Sequence, residues 1–409
     1  MKDVISNFVK DLPSGWIVNP FKYHIDFQEG PGIMADDFQD SGVPLLRISN
    51  IQGKRVILEG CNFLSEDKVQ SKWNHFKLKN KDYLISSSAS TGMISEVTEE
   101  SEGSVAYTGI IRLRPKDTIY RNYIPWILSS SLFSTQIDLM KTGSTIQHFG
   151  PLHLRMMSIT VPPLNIQKQI SDFLDKETTR IDTLIFKKQK QIELMREGRQ
   201  SLIDMAIRSP KSKQVRLEHI AKRIFRPIGR ISDKLYIPIG MYNRGRGVFH
   251  KPETVGEELG DSEFSWIKFN DVILSGQFSW EGAVGMADIQ EDGCICSHRY
   301  AILNGDDQNI NNSYLYSFFD THYGNFLLNE HSRGAAGRNR PLNTNTLLKE
   351  KIPVPDMDLQ IKIEKQIQLE RKLKPVIQKS IDLLKEYRSS LVTNTVSGKI
   401  DISKYEVSK

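Results

Sequence analysis

Arginine beside glycine is the combination in this chain that points most directly to chemistry. It occurs in Asn243-Arg244-Gly245-Arg246-Gly247 and again in Arg333-Gly334-Ala335-Ala336-Gly337-Arg338-Asn339-Arg340. Glycine lets a backbone approach a phosphate closely, and a guanidinium grips phosphate or guanine with two parallel hydrogen bonds. A solvated basic loop is the alternative at both places. Between them lie Gln277, Ser279 and Trp280, with an amide and a hydroxyl of the types that read base edges. In the first half of the chain, Ser88, Ser90 and Thr91 follow an apolar run and offer small donors and acceptors; a polar turn accounts for them as well. Residues 143–148 bring Ser144, Thr145, Gln147 and His148 together after Lys141, and Arg47 and Asn50 stand near the end of a strand-like segment. All of these are candidate DNA contacts, through phosphates or through base edges.

Other chemistries lack their parts. Asn19-Pro20-Phe21 has a fragment of the Asn-Pro-Pro-aromatic string with which DNA methyltransferases hold a flipped base. It lacks the second proline and no glycine-rich cofactor loop precedes it, so it reads as a strand entry. Pro355-Asp356 with Glu370 and Lys372 has the residue types of a metal-dependent nuclease, but the last two fall on an amphipathic helix rather than a strand. There is no Gly-x-x-x-x-Gly-Lys-Ser/Thr phosphate loop. Cys294, Cys296 and His298 alternate along a strand and make a poor zinc site without a second cluster, so they read as structural. The expectation is a non-catalytic chain that binds no cofactor or metal itself.

The bulk numbers agree without deciding. A length of 409 residues suits two or three domains, and 39% hydrophobic with 25% charged residues is ordinary globular usage. A net charge of +6 favours a polyanionic partner only mildly. Three cysteines, with Cys61 the remaining one, are too few for a disulfide framework and fit a reducing compartment. No apolar run is long enough to span a bilayer, and acidic residues interrupt the N-terminal segment, so the cytoplasm is the expected location.

The elements that must position these residues come from a repeat with a period of roughly 190 residues. Val161-Pro162 with Gln167 returns as Val354-Pro355 with Gln360. Residues 192–203 return as 381–392, at an offset of 189 rather than 193, a loss of four residues that is close to one helical turn. Upstream, residues 82–86 match 271–275, Arg112-Leu113 fall opposite Ala301-Ile302, Tyr123 answers Tyr314, and Pro151-Leu152 answer Pro341-Leu342. From 165 to 207 Ile166, Ile170, Leu174, Ile181, Leu184, Ile192, Met195 and Leu202 are separated by multiples of three and four, as are Leu359, Ile363, Ile367, Leu373, Ile377, Ile381, Leu384 and Leu391. Each is a narrow apolar stripe on a helix about 60 Å long, which needs a partner. Its own copy, antiparallel, is the economical one; packing on the adjacent globule is the other. Pro375 is expected to bend the second helix, which would restart near Val376.

Together these features resemble the specificity subunits of Type I restriction-modification systems over nearly the whole chain. The strand-like residues 44–51, the loop 143–148, the proline-led helix starts and the ending Thr395-Val396-Ser397-Gly398-Lys399-Ile400-Asp401 carry the resemblance. It implies an α+β fold in which two target recognition domains, mixed α/β globules, alternate with two long helices paired as an antiparallel coiled coil with a pseudo-twofold repeat. The segments are residues 1–163, a helix over 164–210, residues 211–355, a helix over 356–400 and a tail over 401–409. The resemblance further implies double-stranded DNA as ligand, each globule reading half of a split, asymmetric site. Partners are then two methyltransferase subunits and restriction translocase-nuclease subunits, which use S-adenosylmethionine, ATP and Mg. Half-sites read from one face lie about 34 Å apart, a span that a rigid helix pair can set. The specificity subunit of a fused methyltransferase-nuclease system, and a coiled-coil adaptor that binds no DNA, are the alternatives.

Overall fold

A strand buried along its whole length needs cover on both faces, and one such strand organises each half of the chain. Tyr83–Ser86 is buried throughout, as is Val272–Ser275. The computed structural model describes residues 12–87, 94–140, 149–334 and 340–402. The first buried strand lies in an antiparallel sheet ordered Ile25–Glu29, Ile110–Pro115, Tyr83–Ser86, Ile94–Glu96. The second lies in a sheet ordered Ala221–Ile224, Tyr300–Gly305, Val272–Ser275, Val284–Met286. Order and direction are the same, so the duplication holds as a duplicated fold.

The registers correct one match. Tyr83 pairs with Leu113, and its counterpart Val272 pairs with Leu303. Leu113 therefore corresponds to Leu303 and Arg112 to Ile302, one residue beyond the alignment with Ala301-Ile302. The second copy holds one extra residue between its paired strands, 31 against 30 from first partner to second. A one-residue slip would turn each side chain to the opposite face, and Leu113 and Leu303 are both fully buried.

Each long helix follows directly on a strand that closes its globule. Ser158–Val161 pairs with Ile17–Pro20, and Lys351–Val354 pairs with Lys213–Arg216. Prolines then end the ladders, and the helices run Leu164–Arg208 and Met357–Val396. A buried glutamine fixes each start. Gln167 accepts from the Tyr120 amide (2.6 Å) and donates to the Pro162 carbonyl (2.7 Å). Gln360 accepts from the Asn311 amide (2.9 Å) and donates to the Pro355 carbonyl (3.0 Å).

The chain divides into two compact units, 1–186 with 380–409, and 187–379. Each unit therefore holds one globule and part of both long helices, rather than a globule alone. In the first unit the start of the first helix meets the end of the second, with Arg388 Nε 2.8 Å from Asp182. In the second unit the end of the first helix meets the start of the second, with Arg199 Nε 3.2 Å from Glu370. Those are the neighbours that antiparallel pairing requires. The apolar stripe serves globule and helix together: Ile170, Leu174, Leu391 and Val396 join the core around Leu113 and Tyr123, and Ile203, Ala206, Ile363 and Ile367 join that around Leu303 and Tyr314.

The helix does not restart at Val376; Met357–Val396 is one element with Pro375 inside. Proline removes one N–H, leaving the Arg371 carbonyl without its helical donor, while the flanking turns keep theirs. Pro375→Ala restores that bond, and we expect it to stabilise the second unit by about 2 kcal/mol. A denaturant midpoint that does not rise would contradict this. Among the described residues no helix is long and apolar enough to cross a membrane.

Candidate nucleic-acid interface

The same pair of backbone hydrogen bonds joins distant segments in both globules. In the first, the Ser87 amide donates to the Gly109 carbonyl (2.8 Å) and the Phe149 amide to the Ser87 carbonyl (3.1 Å). In the second, the Gly276 amide donates to the Arg299 carbonyl (2.6 Å) and the Leu342 amide to the Gly276 carbonyl (2.8 Å). The chain leaving each central strand is thus tied to the chain that follows the second candidate loop, about sixty residues further on in sequence. A Cβ at Gly276 would stand 2.0 Å from the Arg299 carbonyl oxygen, so this crossing admits only glycine.

The turn 276–282 becomes a hub in the second unit. Trp280 Nε1 donates to the Gln277 carbonyl (3.1 Å), and the Arg340 guanidinium lies 4.9 Å from the centre of the Trp280 ring. On its other side, the Arg244 amide donates to the Glu281 carbonyl (2.9 Å), the Gly245 amide to the Gly282 carbonyl (2.8 Å), and Asn243 hydrogen-bonds the Glu281 carboxylate. Arg244, Arg246, Gln277 and Arg340 are thereby gathered on one pinned turn, although they lie far apart in sequence. Arg244 and Arg246 are exposed, and Arg246 lies over the Tyr242 ring at 5.1 Å. Such stacking orders a guanidinium before a ligand arrives.

Beside the hub runs a groove lined by Arg223, Gln277, His298, Arg299, Arg333, Asn343 and Asn345 among others. Its lining offers guanidinium and amide groups in quantity, the set suited to phosphate oxygens and purine edges. Arg333 is also held by Glu330, 3.2 Å away, while its side chain stays largely exposed. The sequence reading missed Arg223, His298, Arg299, Asn343 and Asn345. Each sits at a strand end or in a connection without glycine or a repeat match, and only the antiparallel pairing of their strands brings Arg223 and Arg299 to one side. His298, read as structural beside the cysteines, is exposed at the groove. Burial pushes the Cys296 thiol up to about 12, which disfavours the thiolate a metal would need.

Two candidates are corrected. Asn50 is 1% exposed; its Oδ1 accepts from the Arg47 amide (2.8 Å) and its Nδ2 donates to the carbonyls of Ile57 (2.9 Å) and Glu59 (3.1 Å). It holds a turn and has no polar atom left for a base. Ser279 is also 1% exposed, with its hydroxyl donating to the Ser275 carbonyl inside the hub. Arg47 is exposed. Ser88, Ser90, Thr91, Ser144, Thr145, Gln147, His148, Arg338 and Asn339 lie outside the described residues.

Residues 25–194 match the model of the Type I restriction modification DNA specificity domain. The Type I restriction enzyme EcoKI specificity subunit of Escherichia coli is 23% identical over 254 residues, 60% of this chain and 52% of that protein. The StySPI specificity subunit of Salmonella potsdam is 23% identical over 215 residues, 51% of this chain and 46% of the relative. The chain thus spans about half the length of the curated relatives it matches. Among solved structures, an HsdS subunit from Thermoanaerobacter tengcongensis aligns with a TM-score of 0.52 at 14% identity, over 95% of this chain and 98% of that one. A chain from work on complex assembly and conformational transition of the type I R-M system aligns with a TM-score of 0.66 at 13% identity, over 95% and 100%. At such identities the structures speak for the fold. The resemblance to specificity subunits and the α+β architecture with two long helices are borne out by these likenesses.

Proposed function

We propose that this chain is the DNA-sequence specificity component of a Type I restriction-modification complex and carries no catalytic activity of its own. The observation that carries the reading is the gathering of Arg244, Arg246, Gln277 and Arg340 on one pinned turn beside a groove lined by further arginines and amides. Each globule reads one half of a bipartite, asymmetric double-stranded target, because the two sheets match while the polar residues at their edges differ. The long helices set the distance between the halves and dock two methyltransferase subunits. Restriction translocase-nuclease subunits join for cleavage, and S-adenosylmethionine, ATP and Mg are used by those partners in the cytoplasm.

Gln277 is the residue we assign to base reading, since a glutamine amide pairs with the N6 and N7 of adenine and its backbone carbonyl is already fixed by Trp280. Gln277→Ala, expressed with its methyltransferase partner, is expected to relax the methylated motif at one position of one half-site. The loss of about 1–3 kcal/mol of discrimination is roughly fivefold to 150-fold. Methylome mapping reads it, and an unaltered motif would remove Gln277 from the contact set. An adaptor that binds only proteins predicts instead no salt-sensitive DNA binding by the full chain.

A further inference from the structure

A carboxylate sits directly beneath the two most exposed arginines of the hub. Asp320 caps the helix Asn312–Phe319, and a Cβ at Gly245 would come within 2.1 Å of its Oδ1. It therefore packs against the loop 243–247 between Arg244 and Arg246. The loop turns sharply there, with a φ of 61° at Arg244 and 63° at Gly245, and both Arg244 and Arg246 are exposed. Among the described residues neither Arg244 nor Arg246 is paired with a carboxylate; the Arg246 side chain instead donates to the Asn243 carbonyl (3.1 Å) and lies over Tyr242. A poorly hydrated acid packed against an arginine-bearing loop would ordinarily draw one of its guanidinium groups inward.

A third arginine accounts for the difference. Arg199, on the first long helix, places Nη1 3.3 Å from Asp320 Oδ2 and Nε 3.2 Å from Glu370 on the second long helix. The three side chains are only 11%, 20% and 19% exposed, so their mutual attraction is screened far less than that of surface pairs. Burial pushes the Asp320 and Glu370 carboxyls above their ordinary values, and Arg199 opposes the shift in both.

We propose that Arg199 is a positioning residue that engages Asp320 from below and so keeps Arg244 and Arg246 available to DNA phosphates. The inference rests on the reading of the 243–247 loop as a DNA contact. It gives the long helix a second task besides spacing: holding the charge balance under a recognition loop. Removing the guanidinium frees Asp320 to capture a loop arginine, and a phosphate contact is lost without any substitution at the DNA-facing surface.

The test is the salt dependence of binding of the full chain to a mixed-sequence DNA duplex, since each phosphate contact contributes about 0.9 to the slope of log affinity against log salt. Arg244→Ala with Arg246→Ala is expected to lower the slope by about 2. Arg199→Met is expected to lower it by about 1, Arg199→Lys to hold it, and Arg199→Met with Asp320→Asn to return it to the native value. Thermal melting checks that each variant is folded. If Arg199→Met does not fold, Arg199→Gln, which keeps a hydrogen-bond donor beside Asp320 and Glu370 but no charge, carries the test: a slope lowered by about 1 supports the proposal and a native one overturns it. A native slope in folded Arg199→Met, or no recovery in the double variant, overturns it too. A native slope after loss of both Arg244 and Arg246 overturns instead the underlying assignment of the loop to DNA.

Discussion

Replacing Asp271 with alanine is expected to cost the second unit about 3–5 kcal/mol, the largest stability effect of any single substitution considered. Asp271 is 1% exposed and takes both arms of Arg226, at 2.7 and 3.0 Å, while its Oδ2 also accepts from the Lys268 amide at 2.8 Å. Alanine leaves the guanidinium facing a cavity and the amide without an acceptor, and both penalties fall beside the central strand Val272–Ser275. The first unit has the same acid with a different partner. Asp82 takes Nε and Nη2 of Arg114 at 2.6 and 2.7 Å and accepts from the Lys79 amide at 2.8 Å. Arg114 lies on the neighbouring strand, whereas Arg226 comes from beyond the end of Ala221–Ile224. Asp82→Ala should therefore weaken the first unit by a similar amount. Hydrogen exchange in denaturant, followed separately for the two globules, measures this; protection lost equally in both after either substitution would contradict it.

The second large effect is on binding. Arg223→Ala together with Arg299→Ala is expected to weaken DNA binding by about a hundredfold, from two charge-assisted contacts at about 1.5 kcal/mol each. Both side chains are exposed at the groove, and the backbone carbonyl of Arg299 that anchors Gly276 stays in place when the side chain is cut back. The loss should therefore come without a fall in melting temperature. It should also lower the salt slope by about 2, in contrast to Gln277→Ala, which changes sequence preference and leaves the slope alone. Equal affinity at every salt concentration would place the DNA elsewhere on the second unit.

The residues that repeat were the most legible ones. Gln167 and Gln360 were visible as matching letters after Val-Pro pairs, and the structure gives them the same hydrogen-bond pattern at the two helix starts. Asp82 and Asp271 were likewise matched, but their arginine partners were not. An ion pair constrains where a guanidinium ends up and not which strand delivers it, so the two copies were free to supply it from different positions. The polar candidates divided by burial. Asn50 and Ser279 have the residue types of base readers, and both turned inward to satisfy backbone groups of their own turns, as short polar side chains readily do.

The duplication and the two apolar stripes were determined by the sequence alone, because a helical period and a repeated motif are local patterns that survive in the order of residues. Which face each polar side chain takes was decided only by the tertiary structure. Gln277 and Arg299 share no period or motif with the arginine-glycine segments that hold Arg244 and Arg340; strand pairing and the crossing at Gly276 bring all four into one place. The arginines beside glycine that first suggested DNA contact thus owe their arrangement, and the half-buried Asp320 that Arg199 engages beneath their loop, to contacts between residues far apart in the chain.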